Sequence, residues 1–117
     1  FSFCCVDYNS DIKVFMNEAK KMQDKMENDP SFEDSPERDD YFFMSAFPWF
    51  AFNSVQHPMD YNNKDSVPRM TWGKFHKVDG RLVMPLSLQC HHAVVDGMHA
   101  GRFYEALEAA ASDIKTL

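Results

Sequence analysis

The chain has 117 residues, of which 44% are hydrophobic and 15% aromatic, values typical of a folded protein of one domain with a modest core. A net charge of −6 argues against a nucleic-acid partner, which would require a basic surface. No apolar run is long enough to cross a membrane, and the cysteines form no CxxC pair, so we expect a cytoplasmic protein without disulfides.

The first part of the chain predicts a strand followed by an amphipathic helix. Residues 1–8 (FSFCCVDY) are β-prone, and the chain opens on Phe1 in this run, so we expect it to continue a longer polypeptide. Asn9 or Ser10 can cap the helix. Apolar residues then recur at helical spacing, which predicts a helix packed on a sheet. This stripe consists of Ile12, Phe15, Ala19, Met22 and Met26.

The middle of the chain predicts a charged loop and then a buried strand. Residues 27–40 (ENDPSFEDSPERDD) lack the regular carboxylate spacing of a calcium loop, so we interpret them as solvated. Residues 41–52 (YFFMSAFPWFAF) predict a buried strand that bends or ends near Pro48. Ser45 places a hydroxyl in the middle of it, and a buried hydroxyl needs a partner. That partner is either a neighbouring carbonyl or a ligand.

A hairpin leads into the histidines after a polar loop at residues 53–67. Asp79 and Gly80 form a strong turn signal between two predicted antiparallel strands, residues 69–78 and 81–92. The predicted order is strand, helix, loop, three strands and helix. It indicates an α/β layer arrangement.

His92 ends the second arm of this hairpin. Strand alternation places it on an apolar row after Leu88 and Cys90, where burial would keep its imidazole neutral. His91 falls on the polar side and is interpreted as structural. Asp96 can cap the final helix, and the simplest interpretation is that it does nothing else.

A histidine at a strand end is well placed for general-base catalysis, because its ordinary pKa lies near neutrality. His92 and Asp96 invite a triad interpretation, although the pair straddles a turn. Cys90 as nucleophile would lie two residues along the strand from His92, too far for easy proton transfer. Zinc binding by His91, His92 and His99 lacks a fourth ligand, so we expect no metal. These residues alone do not identify a substrate.

The segment HHAVVDG fits the HHxxxDG signature shared by CoA-dependent acyltransferases, condensation domains and dihydrolipoyl acyltransferase cores. The stretches SAFPWFAFNS, MTWGKFHKVDGRLVMPLSLQ and HHAVVDGMHAGRF resemble the chloramphenicol acetyltransferase family in order and spacing. FSFCCVDYNSDIKVF also resembles the family's upstream strand and helix. The resemblance covers nearly the whole chain but only the C-terminal half of the family's domain. It implies that residues 1–117 are the C-terminal part of one such domain, a two-layer α/β sandwich of a mixed β-sheet with helices.

The resemblance also implies roles for individual residues. His92 matches the base that deprotonates the acceptor hydroxyl, which then attacks acetyl-CoA directly. Acetyl-CoA is thus a co-substrate, and no cofactor is bound permanently. Ser45 matches the serine that stabilises the oxyanion. Thr71 matches a threonine that acts through a water, and Asp96 matches an aspartate that pairs with an arginine and shapes the site.

Further expectations concern binding and assembly. Lys74 and Phe75 match residues at the CoA nucleotide, and Phe43 falls where an aromatic wall of the acceptor pocket would lie. The family is a homotrimer with each site between two subunits, acts on chloramphenicol or a similar small hydroxyl acceptor, and confers antibiotic resistance. Residues 55–69 (VQHPMDYNNKDSVPR) diverge from better-known members in a segment that lines the antibiotic pocket. Alternatives are therefore an acyltransferase for another acceptor or a non-catalytic relative. We expect residues 1–117 alone to be inactive.

Overall fold

The computed structural model describes residues 2–32, 38, 40–58 and 65–114. The chain divides into two compact units: Phe1–Glu37 with Ile114–Leu117, and Arg38–Asp113. We call them the first and second units. A search of the described residues finds no helix with the length and apolar character needed to span a membrane.

The first unit is built on helix α1, Ile12–Asn28. The predicted stripe is confirmed in part, because four of its five residues are half-buried whereas Ile12 is 43% exposed. The expected cap at Asn9 or Ser10 is wrong. Asp11 has an extended backbone, and its carboxylate accepts hydrogen bonds from the amides of the second and third helical residues. Asn9 supports this cap by accepting a hydrogen bond from the Asp11 amide at 2.8 Å.

The predicted first strand does not form in residues 2–8, and Phe1 lies outside the described residues. The Phe3 amide donates to the Ser31 carbonyl oxygen at 3.0 Å. Within the described part of this unit there is no strand for these residues to pair with. A β-prone run becomes a strand only when a neighbour supplies the ladder of hydrogen bonds.

The second unit contains five strands and helix α2. In chain order they are β1 Phe43–Phe47, β2 Arg69–Gly73, β3 His76–Val78, β4 Arg81–Val83, β5 Leu86–Gln89 and α2 Gly97–Asp113. Strands β1, β2 and β5 form a three-stranded sheet with β2 in the centre. The β1–β2 pair is parallel and the β2–β5 pair is antiparallel, so the predicted mixed α/β arrangement is confirmed.

The predicted hairpin turn is confirmed. Asp79 and Gly80 have φ values of 50° and 80°, and Val78 pairs with Arg81. Positive φ at both central residues is the two-residue turn that Asp-Gly favours. The two long arms are wrong, however, because each divides into two short strands and the β3–β4 pair forms its own sheet.

A bulge explains the division. Three residues separate Trp72 from His76 on one arm, whereas two separate Val83 from Leu86 on the other. The extra residue disrupts the ladder locally. The Gly73 amide bridges this point by donating to the Pro85 carbonyl oxygen at 3.0 Å.

Burial is low throughout the described residues. None of their apolar side chains is buried, and Thr71 is the only buried polar one. The expected core and the expected burial of residues 41–52 are therefore wrong. In β1 the residues alternate: Phe43, Ser45 and Phe47 are half-buried, but Met44 is 55% exposed. Successive side chains of a strand point to opposite faces, so only one face of β1 is covered.

Candidate active site

Three hydroxyl side chains form a row across the three-stranded sheet. Ser45 of β1 is aligned with Thr71 of β2, and Thr71 is aligned with Ser87 of β5. Aligned residues on neighbouring strands project from the same face. Thr71, in the central strand, is 0% exposed, whereas the two serines are half-buried. We call these three residues the hydroxyl row.

Side chains of β5 form hydrogen bonds with residues 55–57, on the face of the sheet that carries the hydroxyl row. Ser87 Oγ donates to the Val55 carbonyl oxygen at 3.5 Å. The Gln89 side chain binds both main-chain groups of His57: Oε1 accepts from the His57 amide at 2.8 Å, and Nε2 donates to its carbonyl oxygen at 3.1 Å. This part of the predicted polar loop is therefore anchored to the sheet.

His57 also reaches the hydroxyl row itself. Its Nε2 lies 2.6 Å from Thr71 Oγ1, within hydrogen-bonding distance. The sequence analysis missed His57 and gave Gln89 no role. Each contact joins residues 14 or 32 positions apart, and no local period signals such a pairing.

His92 lies beyond the end of β5 and is exposed. The expected burial is wrong because the strand ends at Gln89 and the chain then turns, with the amides of Val94 and Val95 both donating to the His91 carbonyl oxygen at 3.1 Å. His92 Nδ1 lies 3.2 Å from the Val95 carbonyl oxygen. A carbonyl oxygen only accepts, so Nδ1 is the donor, and in the neutral imidazole the lone pair is then on Nε2.

Asp96 caps α2, as predicted. Its Oδ1 accepts a hydrogen bond from the His99 amide at 3.1 Å and lies 2.8 Å from His99 Nδ1. The His99 amide, followed by the charge of His99, lowers the pKa of the Asp96 carboxyl below its usual value. No hydrogen bond joins Asp96 to the His92 side chain within the described residues, so a triad is not formed there.

Phe43 is enclosed at the end of the sheet from which His92 departs. It pairs with Arg69, which in turn pairs with Gln89. The Arg69 guanidinium lies 5.1 Å from the centre of the Phe43 ring, a cation–π contact, and Asp65 binds the same guanidinium. The Tyr41 ring meets Phe43 edge-on with centroids 5.1 Å apart. The half-buried Phe43 ring therefore contacts both a guanidinium and a second aromatic ring.

Lys74 and Phe75 lie at the other end of β2, in the bulge. Both are exposed, Phe75 by 59%. The Lys74 amide donates to the Phe50 carbonyl oxygen at 2.9 Å, which holds the bulge against the segment after β1. Because β5 runs antiparallel to β2, these two residues and His92 lie towards opposite ends of the sheet, with the hydroxyl row between them. No hydrogen bond joins His92 to Ser45 or Thr71 among the described residues.

Cys90 does not favour nucleophilic chemistry. Partial burial raises the pKa of its thiol, which disfavours the reactive thiolate. A search of the described residues also finds no group of three or more His, Cys, Asp or Glu side chains that could hold a metal ion. Two surface depressions lie beside α1 in the first unit, and none of the predicted site residues lines either of them.

Comparisons with known proteins show which family this chain resembles. The chloramphenicol acetyltransferase family model matches residues 1–108. The chain is 30% identical to a chloramphenicol acetyltransferase of Clostridium perfringens (92% of this chain, 53% of the relative). It is 31% identical to chloramphenicol acetyltransferase 2 of Haemophilus influenzae (97% and 54%). A solved chloramphenicol acetyltransferase structure superposes with a TM-score of 0.73 at 25% identity, over 89% of this chain and 51% of that one.

These matches define the fold as that of an acyltransferase family, which confirms the resemblance inferred from the motifs. The chain belongs to the chloramphenicol acetyltransferase family. It spans about half the length of the curated relatives it matches.

Proposed function

We propose that this chain is the C-terminal part of an acetyl-CoA-dependent O-acetyltransferase that acts on chloramphenicol. The observation that carries the proposal is the His92–Val95 hydrogen bond within the HHxxxDG segment. It orients the imidazole and leaves Nε2 able to accept a proton. Membership of the family supports the acceptor and the acetyl donor.

The proposed reaction is direct transfer by general-base catalysis. His92 Nε2 removes the proton from the acceptor hydroxyl, and that oxygen attacks the thioester carbonyl of acetyl-CoA. The carbonyl oxygen becomes an oxyanion, to which the Ser45 hydroxyl donates a hydrogen bond worth about 3 kcal/mol. Collapse of the tetrahedral intermediate breaks the C–S bond. The CoA sulfur then takes the proton from the imidazolium, giving the acetyl ester and free CoA.

The remaining site residues support this step. We propose that Thr71 assists next to Ser45 in the hydroxyl row and that Asp96 holds the turn carrying His92 by capping α2. Phe43 would form a wall of the acceptor pocket. Lys74 would attract the negatively charged CoA nucleotide, and Phe75 would contact its base. The exposure of both residues leaves them accessible to such a ligand.

We propose a shared site in a homotrimer, and the same placements support it. His92 is exposed and leaves one end of the sheet, and no hydrogen bond links it to the hydroxyl row in the described part of the chain. We propose that His92 of one copy faces the hydroxyl row of the next. The low burial of apolar side chains supports the view that residues 1–117 are part of a larger single domain whose remaining residues cover them. We further propose that the protein is cytoplasmic and confers chloramphenicol resistance.

A second candidate is an acyltransferase of this family with a different hydroxyl acceptor. The observation that favours it is His57, which lies in the segment expected to line the acceptor pocket and reaches Thr71. An imidazole there adds a further polar group beside the hydroxyl row. A non-catalytic relative has no observation in its favour.

The experiment that separates these candidates measures thiol release from acetyl-CoA by the full-length protein containing this chain. Assays would contain chloramphenicol, other hydroxyl-bearing antibiotics, or no acceptor. Rapid thiol release that occurs with chloramphenicol and with no other acceptor supports the first candidate. Release only with another acceptor supports the second, and no release with any acceptor contradicts both.

A further inference from the structure

The position of the His57 ring is determined by hydrogen bonds from the sheet to the segment that carries it. Gln89 binds the amide and the carbonyl of His57 with one side chain, and Gln89 is part of β5. Because the Gln89 side-chain amide makes both of these hydrogen bonds, it fixes the position and the direction of the main chain at His57. The ring therefore leaves the backbone at a defined point above the hydroxyl row.

The partner of that ring is the most buried side chain that the structure describes. Thr71 Oγ1 is 2.6 Å from His57 Nε2, and Thr71 is 0% exposed. A threonine on a strand has few side-chain orientations, so its one remaining freedom is rotation of the hydroxyl hydrogen. Whichever group bonds to Oγ1 decides where that hydrogen points.

We propose that His57 is a positioning residue for the Thr71 hydroxyl, with Nε2–H donating to Oγ1. In this arrangement Thr71 keeps its own hydrogen free to point along the row, towards Ser45 and the oxyanion. With the opposite tautomer, the Thr71 hydroxyl would donate its hydrogen to His57 Nε2. It would then present only lone pairs to the other groups of the hydroxyl row. The inference rests on the proposed acetyl transfer, because the oxyanion is the group that a donor at Thr71 would serve.

Substitutions can isolate the ring because the loop is held through the His57 main chain. The Gln89 hydrogen bonds go to backbone atoms and remain in any variant at position 57. His57→Leu removes the donor, whereas His57→Gln restores an N–H donor at a similar distance from the backbone. Gln23→Leu is the control, since Gln23 is exposed on α1 and lies outside the segment expected to line the acceptor pocket.

The test is a double-mutant cycle in the full-length protein, with chloramphenicol and acetyl-CoA as substrates and kcat and KM determined separately. We expect His57→Leu to lower kcat about five- to tenfold, the effect of one neutral hydrogen bond, with acceptor KM changed less than about twofold. His57→Gln should retain most of the wild-type kcat, and Gln23→Leu should match wild type. In the Thr71→Val background, His57→Leu should cause no further loss.

The outcomes separate this inference from the proposed function. If the unsubstituted protein transfers acetyl but His57→Leu keeps its kcat, the inference is wrong and the proposed function stands. The same holds if the loss persists undiminished in the Thr71→Val background, or if the Gln variant is as impaired as the Leu variant. If the unsubstituted protein transfers acetyl to no acceptor, both fail together.

Discussion

His92 Nδ1 lies 3.2 Å from the carbonyl oxygen of Val95, three residues further along the chain. This contact closes the turn between β5 and α2 around the imidazole and fixes which nitrogen carries the proton. Asp96 then caps α2 immediately after Val95, so both ends of the turn are held. The orientation of the proposed base is thus a property of the local backbone, and it does not require a carboxylate behind the ring.

Ser45 and Ser87 provide a matched pair for testing the hydroxyl row. Both are half-buried, and both are aligned with Thr71, one on each side. We expect Ser45→Ala to lower kcat about a hundredfold in the full-length protein, because an oxyanion donor is lost.

Ser87→Ala should lower kcat less than about threefold, since the Ser87 hydroxyl donates to the Val55 carbonyl oxygen and is not required for the reaction. Steady-state rates at saturating acetyl-CoA give the comparison. Equal losses in the two variants would remove Ser45 from its proposed role.

Gly73 tests the packing at the bulge. A Cβ at this position would lie 2.9 Å from the Phe50 carbonyl oxygen and 2.9 Å from Pro85 Cγ. Backbone and proline ring cannot easily move away, so we expect Gly73→Ala to lower the free energy of unfolding by about 1–3 kcal/mol.

Gly101 is the control for this substitution. It lies within α2, and a Cβ there would meet nothing within 4 Å. Gly101→Ala should raise the free energy of unfolding by about 0.5–1 kcal/mol, because alanine loses less backbone entropy in a helix. Urea unfolding of the full-length protein measures both. If Gly73→Ala were as stable as Gly101→Ala, the packing of Phe50 and Pro85 around Gly73 would have to be less tight than these distances indicate.

We expect Asp96 to make a pH-dependent contribution to the stability of the folded protein. Its folded-state pKa is lowered by the His99 amide, from a usual value of 3.8, so folding favours the ionised carboxylate. This contribution is present above the unfolded pKa and is lost as the pH falls through the folded one. We therefore expect Asp96→Ala to be destabilised relative to wild type at pH 7, and the difference to shrink below about pH 4.

Asp113, at the other end of α2, is the control for this measurement. A negative charge near a helix C-terminus opposes the helix dipole, so Asp113→Ala should not lower stability at pH 7. Thermal unfolding between pH 3 and pH 7 compares the variants. An Asp96 effect that stays constant down to pH 3 would contradict the assigned cause.

Local signals in the sequence predicted most of the elements that depend on local interactions, although the cap of α1 is Asp11 and not Asn9 or Ser10. The helical stripe of α1, the Asp79-Gly80 turn and the Asp96 cap each involve residues within a few positions of one another. The family motif likewise occupies one continuous segment. Such features can be inferred because their geometry is determined by spacing along the chain.

Features that depend on distant partners were missed. Period-2 alternation predicted continuous strands, but the extra residue in the bulge broke the β2 arm and the chain turned before His92, so the expected burial of its imidazole failed. The contacts of His57 with Gln89 and Thr71 join separate segments of the chain, and nothing in the local composition marks them.

The most direct test of the proposed catalytic base compares His92→Ala with His91→Ala in the full-length protein. The two histidines are adjacent and both exposed. The His91 ring accepts a hydrogen bond from the Ala93 amide at Nδ1, and we assign it no catalytic role. Thiol release from acetyl-CoA with chloramphenicol should fall by several orders of magnitude in His92→Ala, and His91→Ala should retain much more activity. A His92→Ala protein that still transfers acetyl at the rate of the unsubstituted protein would contradict the account.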